Sequence, residues 1–381
     1  MKKDFGIAVI GCGQRSLYVV ENLLRDSERH VHVKSVYDPD TEACRTALER
    51  WIQPDAKICK GYEEAIAVDG VDWVMVFSPN AFHKEHVLAG FAAGKDVFSE
   101  KPLATSIDDC IEINNAHASC GKQFATGFVL RYAPIYRKLK ELLDSGEFGS
   151  ILAIDANEHI MPEHGGYIMC NWRRHTAISG PHILEKCCHD LDLLLWYVQG
   201  LPMRVSAFGG REFFRKENND YFMKKYGKKV FMNWPVVHDI DSPFSDDNDL
   251  MDITNSIAEF DNGVRVSFSA TMSNAMPERR IRICCTEGVL VSELYSMTLR
   301  YHKLGEQQES VISYRGDGHA GGDSFIMKEL YECMCSGEPP KCSGAEGLRS
   351  AVYALAIDEA ARTGKVVSLE DTWKQLAARL K

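Results

Sequence analysis

Residues 184–192 read LEKCCHDLD, which puts two cysteines, a histidine, a glutamate and two aspartates in one short run. Three chemistries fit: a metal site, a histidine supported by a carboxylate, or a crowded but inert helix. On a helix, Glu185 and His189 stand four apart and share a face, with Asp192 three further on. Cys187 and Cys188 are adjacent and diverge, whereas zinc sites pair cysteines two to four residues apart. Spacing therefore favours the carboxylate–histidine reading and predicts no metal. A second reactive group is Lys101 in SEKPLA. Proline biases its predecessor away from the α region, so Lys101 should project from a strand end. Open α/β sheets bind ligands at that carboxyl edge. Read alone, a lysine before proline is ordinary surface chemistry, and a lone histidine is a satisfied core residue.

The third cluster is Gly11-Cys12-Gly13-Gln14-Arg15-Ser16, directly after the apolar run GIAVI. The first glycine permits a tight turn. The second lets a pyrophosphate approach the backbone at a helix N-terminus, where free N–H groups and the helix dipole favour anions. Ser16 stands where a third glycine or alanine is usual and is small enough for close helix–strand packing. Asp38 closes the next strand and is placed to accept hydrogen bonds from both ribose hydroxyls. It would repel a 2′-phosphate, so the reading favours NAD over NADP. The competing reading is that Asp38 only opens the Asp38-Pro39 turn.

These groups need a scaffold. The first third alternates apolar strands with helical patterns: VHVKSVYDPD (ending at Asp38), VDWVMVFSP and DVFSEKP as strands, and a helix opening at Ser106 with Asp109 three positions on, as in a capping box. Such alternation means a parallel sheet covered on both faces. After about residue 150 the pattern changes. Asn262-Gly263 between two strand-like runs signals a hairpin, with Val264, Val266 and Phe268 on one face. RRIRICCTEGVLVSELY reads as another strand pair turning near Glu287-Gly288. The expected fold is an α/β Rossmann domain (1–126) plus an α+β domain with a large open, mostly antiparallel sheet (127–381), whose C-terminal helix could return to the first domain. The 211–250 stretch is polar, aromatic and irregular, and reads as an insertion or loop.

Composition excludes several classes. The net charge of -10 disfavours a nucleic-acid-binding surface. No apolar run approaches a membrane span, and the N-terminal segment lacks the long apolar core of a signal peptide. Thirteen cysteines, an odd number, suit reduced and mostly buried thiols in the cytoplasm.

With VIGCGQRS, FSPNAFHKEHVLAGFAAGKDVFSEKPLA, GFVLRYAP, EKCCHDLD, HAGGD and ALAIDEAARTGKVVSL, nearly the whole chain resembles the Gfo/Idh/MocA family, the glucose–fructose oxidoreductase and inositol dehydrogenase group. The resemblance implies oxidation or reduction of a secondary hydroxyl on a sugar, inositol or related polyol with NAD(P). It puts the catalytic lysine at Lys101 and the acid–histidine pair at Glu185 and His189. The family's acid is more often aspartate, so Glu185 reaches one methylene further, and a glycine is common where Cys187 stands. A neutral histidine suits removal of the hydroxyl proton, and Lys101 would stabilise the developing alkoxide. Ser78, Asn80, His83 and Glu100 join Gly11, Gly13, Gln14, Arg15, Ser16, Asp38 and Lys101 as expected cofactor contacts. Arg131, Tyr132, Trp172, Arg173 and Asp192 join Lys101 and His189 as expected substrate contacts. His319 and Asp323 fit substrate contact or helix capping equally. The leading function is an NAD-dependent sugar or polyol dehydrogenase. The alternatives are an enzyme that recycles bound NAD for isomerisation, epimerisation or glycoside cleavage, and a non-enzymatic nucleotide sensor. The resemblance also implies a homodimer or homotetramer built on the open sheet.

Overall fold

The computed structural model describes residues 3–234, 236, 238–316 and 319–381. The chain divides into two compact units. The first comprises Met1–Tyr132, Gly321–Ala351 and Arg379–Lys381, and the second Ala133–Ala320 and Val352–Ala378. The first unit thus takes back a long C-terminal segment in addition to its last residues.

Its sheet has six strands: β1 (Phe5–Ile10), β2 (Val31–Tyr37), β3 (Lys57–Ile58), β4 (Trp73–Val76), β5 (Asp96–Ser99) and β6 (Phe124–Thr126). Their order is β3-β2-β1-β4-β5-β6, every pairing is parallel, and the order reverses at β1. That is the doubly wound arrangement, with the ligand edge outside the switch point. β4 is buried at every position, as a strand covered on both faces must be. Helix Ile107–Cys120 begins at Ser106, whose hydroxyl accepts from the Asp109 N–H. Asp109 turns its carboxylate to Lys84 at 2.5 Å, so only half of the expected reciprocal box is used for capping. Helix Gly322–Ser336 packs on helix Gln14–Asp26.

The second unit holds nine strands: β7 (Ile151–His159), β8 (Pro202–Gly210), β9 (Ile253–Phe260), β10 (Arg265–Thr271), β11 (Arg280–Cys285), β12 (Gly288–Glu293), β13 (Thr298–Lys303), β14 (Ser310–Ser313) and β15 (Val367–Ser368). They run β14-β13-β12-β11-β7-β10-β9-β8-β15. Only β7 and β10 pair in parallel. The β9–β10 hairpin turns at Asn262-Gly263, with Gly263 at φ 82. Val266, Phe268 and Ala270 are buried and their neighbours are not. Helices Pro134–Asp144 and Cys188–Val198 of the same unit pack on the buried face.

The 211–250 stretch differs from the loop expected. Phe214, Phe231, Phe244 and Leu250 are buried with Ile160, Ile168, Met169 and Met272 in a satellite core. Arg174 ties it down through Asp239 and Asp247. Asp252 accepts the N–H groups of Glu212, Phe213 and Phe214. Sequence polarity hid this, because the aromatic positions follow no helical or strand period.

Candidate active site

In the first unit, Gly11 has φ +92, and a Cβ there would lie 2.6 Å from the Phe77 carbonyl carbon. The turn therefore needs glycine to pass the end of β4. A Cβ at Gly13, the N-cap of helix Gln14–Asp26, would meet nothing within 4 Å. That open side lies at the helix N-terminus, where a pyrophosphate fits the free N–H groups. Ser16 is fully buried and its hydroxyl donates to the Gly13 carbonyl at 2.8 Å, so serine fills the third position without a gap. Asp38 accepts the Cys12 N–H at 2.8 Å through Oδ2 and the Asp40 N–H at 2.9 Å through Oδ1. The acid is held against the glycine turn, where a ribose would lie, and it also shapes the turn that follows it. The donors and acceptors at this edge fit a dinucleotide.

Several expected cofactor residues brace this edge. Arg15 pairs with Glu100 at 2.6 Å and with Asp323 at 2.7 Å. Glu100 also accepts the Lys101 N–H at 3.1 Å. The glycine turn and the Glu100-Lys101-Pro102 turn are thereby joined through one carboxylate; the Lys101–Pro102 bond is cis. His83 is buried, with Nδ1 2.7 Å from the Pro102 carbonyl and Nε2 2.9 Å from that of Ser78. Burial lowers its pKa, so the ring is neutral and donates to only one of the two. The Ser78 hydroxyl faces Nδ1 of His86, whose pKa burial lowers to about 4. Both histidines therefore hold the Ser78–Pro102 edge from behind. Asn80 is buried in the turn after β4, and Gln14 opens the helix.

Arg131 and Tyr132 lie in the short turn after β6. Tyr132 is buried and its hydroxyl donates to Glu329. Asp323, left open between capping and substrate, is the buried partner of Arg15.

In the second unit, the stretch 184–192 is not one helix. A helix His182–Glu185 ends at Lys186, and a second, Cys188–Val198, begins after Cys187. Glu185 and His189 therefore do not share the continuous face that their spacing predicted. All three expected residues are buried: Glu185, His189 and Asp192. The His189 ring lies 5.9 Å from that of His319. Arg173 donates to Glu185 at 3.1 Å and to Asn171 at 2.9 Å, with its guanidinium 4.2 Å from the Trp172 ring centroid and 5.1 Å from that of Tyr167. Arg173, expected against substrate, thus also holds Glu185, and Trp172 lies against its guanidinium.

Sequence reading missed one cluster here. Glu158 sits on β7 at the same parity as Ile154 and Ala156, and is buried with them. A charge on an apolar strand face requires partners, and that parity was the available signal. Glu158, His182 and Cys187 bring their ligand atoms within 4.8 Å of one another, a set that metal-spacing rules did not reveal. Arg279 stands 3.5 Å and Lys186 3.7 Å from Glu158. Burial pushes the Glu158 carboxyl up, but these two cations more than offset it and lower its pKa to about 2. Burial raises the Cys187 thiol well above its usual range, so it is a donor to Glu158. The charge is balanced by protein cations.

Residues 5–128 match the model of an oxidoreductase family with an NAD-binding Rossmann fold. Residues 136–291 match the GFO/IDH/MocA C-terminal domain. The chain is 21% identical over 406 residues to the putative oxidoreductase YteT of Bacillus subtilis, covering 92% of this chain and 94% of that protein. It is 33% identical over 202 residues to the inositol 2-dehydrogenase of Gluconacetobacter diazotrophicus, 51% of this chain and 55% of that enzyme. The match thus spans about half the length of that relative. A levoglucosan dehydrogenase solved with NADH and levoglucosan superposes with a TM-score of 0.81 at 17% identity, covering 97% of this chain and all of that one. A myo-inositol 2-dehydrogenase from Lactobacillus plantarum gives 0.76 at 17% identity, over 96% and 99%. These two share the fold. With both of its domain models matched in order along one chain, and with the glycine turn and Asp38 in place, the protein belongs to the GFO/IDH/MocA oxidoreductase family and its first unit is an NAD-binding Rossmann domain.

Proposed function

We propose that the protein oxidises a secondary hydroxyl of a sugar, inositol or related polyol, with His189 taking the hydroxyl proton and Lys101 stabilising the alkoxide that develops. The observation that carries this reading is His189 itself. It is 3% exposed, in the first turn of helix Cys188–Val198, with the buried carboxylate Glu185 at the end of the preceding helix. A buried imidazole is suited to a proton step near neutral pH. NAD, when bound, supplies the hydride acceptor. Arg173 holds Glu185, and Glu100 holds the Lys101 backbone at the carboxyl edge of the first sheet. Lys101 supplies a cation for the developing oxyanion, worth most in a site that excludes water. All thirteen cysteines are free thiols, which supports a reducing, cytoplasmic setting. Among the described residues no helix is long and apolar enough to cross a membrane.

The test is turnover of a panel of inositols, aldoses and glycosides with NAD, followed by NADH release. Lys101→Ala and His189→Ala should each lower kcat by about 10²- to 10⁴-fold while NAD still binds. A product formed without free NADH would replace the dehydrogenase reading with one of recycled cofactor. Near-normal kcat in both variants would overturn the assignment.

A further inference from the structure

The two residues read as a dyad lie on different helices, so the turn between them sets their mutual orientation. That turn is Lys186-Cys187, and both of its side chains end on Glu158. Lys186 Nζ is 3.7 Å from Oε1, and Cys187 Sγ donates to Oε2 at 3.4 Å. On the far side of the turn, Asp190 is held bidentately by Arg279, from Nε at 2.8 Å and Nη2 at 2.7 Å. The third guanidinium nitrogen of Arg279 faces Glu158 at 3.5 Å. Glu158, Asp190 and Arg279 are 1%, 1% and 3% exposed, so the network is dry.

Its base is rigid. Glu158 lies on β7, and Arg279 immediately precedes β11, which pairs with β7 through Ile281 and Ala156. The Arg279 carbonyl accepts from Leu294, and its N–H donates to Glu293. Two carboxylates and two cations balance within the cluster. Hydrophobic side chains of similar volume often serve stability as well as a buried ion network does, so stability alone does not account for one here. Fixed bidentate geometry does account for it, because a supporting shell must hold reacting groups to within about 0.5 Å.

We propose that Glu158 and Arg279 are positioning residues that fix the angle between Glu185 and His189 by clamping the Lys186-Cys187 turn and Asp190 to the central sheet. This rests on the reading of His189 as the proton acceptor. Glu158 and Arg279 act through the turn.

The decisive variant is the double substitution Arg279→Met with Asp190→Leu, which removes a charge pair without leaving either partner unpaired. Glu158→Gln, nearly isosteric, is the second. Two readouts apply to each, with thermal unfolding as the folding control. The first is kcat and KM with myo-inositol and NAD. The second is the imidazole ¹⁵N shifts of His189, assigned by their loss in His189→Gln, which need no substrate. Expected are a melting temperature close to wild type, an unchanged KM for NAD, a kcat reduced by about 10- to 100-fold, and shifted His189 nitrogens. Should the double variant not fold, Glu158→Gln decides by the same measures. Should myo-inositol not be turned over, the nitrogen shifts decide. Wild-type kcat or unmoved His189 shifts in a folded variant would overturn the inference. Its failure is separable from that of the functional reading, because only the latter is tested by the large fall in kcat expected for His189→Ala.

Discussion

The two glycines of the nucleotide turn should respond oppositely to the same added methyl group. At Gly11, φ +92 is costly for alanine, and the new Cβ would lie 2.6 Å from the Phe77 carbonyl carbon and 2.7 Å from both its oxygen and the Ser78 nitrogen. All three are backbone atoms just past the end of β4, so none can rotate away. The left-handed conformation costs about 1–2 kcal/mol and overpacking about 1–3 kcal/mol, giving about 3 kcal/mol for Gly11→Ala. For a domain of this class that is a fall of about 6–12 °C in melting temperature. At Gly13 the backbone is φ -77 with nothing within 4 Å of a Cβ. Alanine is a poorer N-cap by about 1 kcal/mol, but it stiffens the unfolded chain by about 0.4–1 kcal/mol, and the two nearly cancel. Its methyl would instead stand where a pyrophosphate approaches the helix N-terminus. Gly13→Ala should therefore keep its melting temperature within about 2 °C and weaken NAD at least about tenfold, a loss of about 1.4 kcal/mol. Differential scanning fluorimetry and NAD titration of both variants check this. Equal destabilisation by the two substitutions, or wild-type NAD affinity in Gly13→Ala, would refute the reasoning.

Asp38→Ala should weaken NAD by about 10- to 100-fold, the worth of charged hydrogen bonds to ribose, and NADP by less; equal loss in paired titrations would point to damage of the Cys12 turn instead. Chelators should leave activity unchanged, since Lys186 and Arg279 already balance the carboxylates of the buried Glu158 cluster; stoichiometric zinc lost together with activity would show the opposite. The outer sheet face carries Ser206, Ile257, Ser267, Asp155, Arg282 and Val291 in one register row, with Ile257 63% exposed. Such a mixed face suits sheet-on-sheet pairing of copies, so light scattering should give a multiple of 42.8 kDa, and a mass of one chain would exclude it.

Much of the scaffold was legible because it rests on local rules. The glycine turn after an apolar strand, Ser106 starting a helix and Asn262-Gly263 turning a hairpin each follow from backbone preferences of a few neighbouring residues. The alternation that placed Val266 and Phe268 inward is the period of the pleat. The satellite core of 211–250 was not legible, since Phe214, Phe231 and Phe244 meet through chain folding and share no period. Four-residue spacing suggested one helix through Glu185 and His189, but it does not register the break at Lys186-Cys187.

The sequence by itself determined the chemistry on offer: a phosphate-binding turn with an acid beside it, a lysine at a strand end, and a histidine with carboxylates nearby. These depend on residue type and short spacing, which the chain carries in plain order. Tertiary structure alone decided the partners. Arg15 meets Asp323, Arg173 meets Glu185, and Arg279 meets Asp190 across separations in sequence with no regular spacing. Buried charge is stable only when compensated, and which distant residue compensates it depends on how the strands and helices pack, which no local pattern encodes.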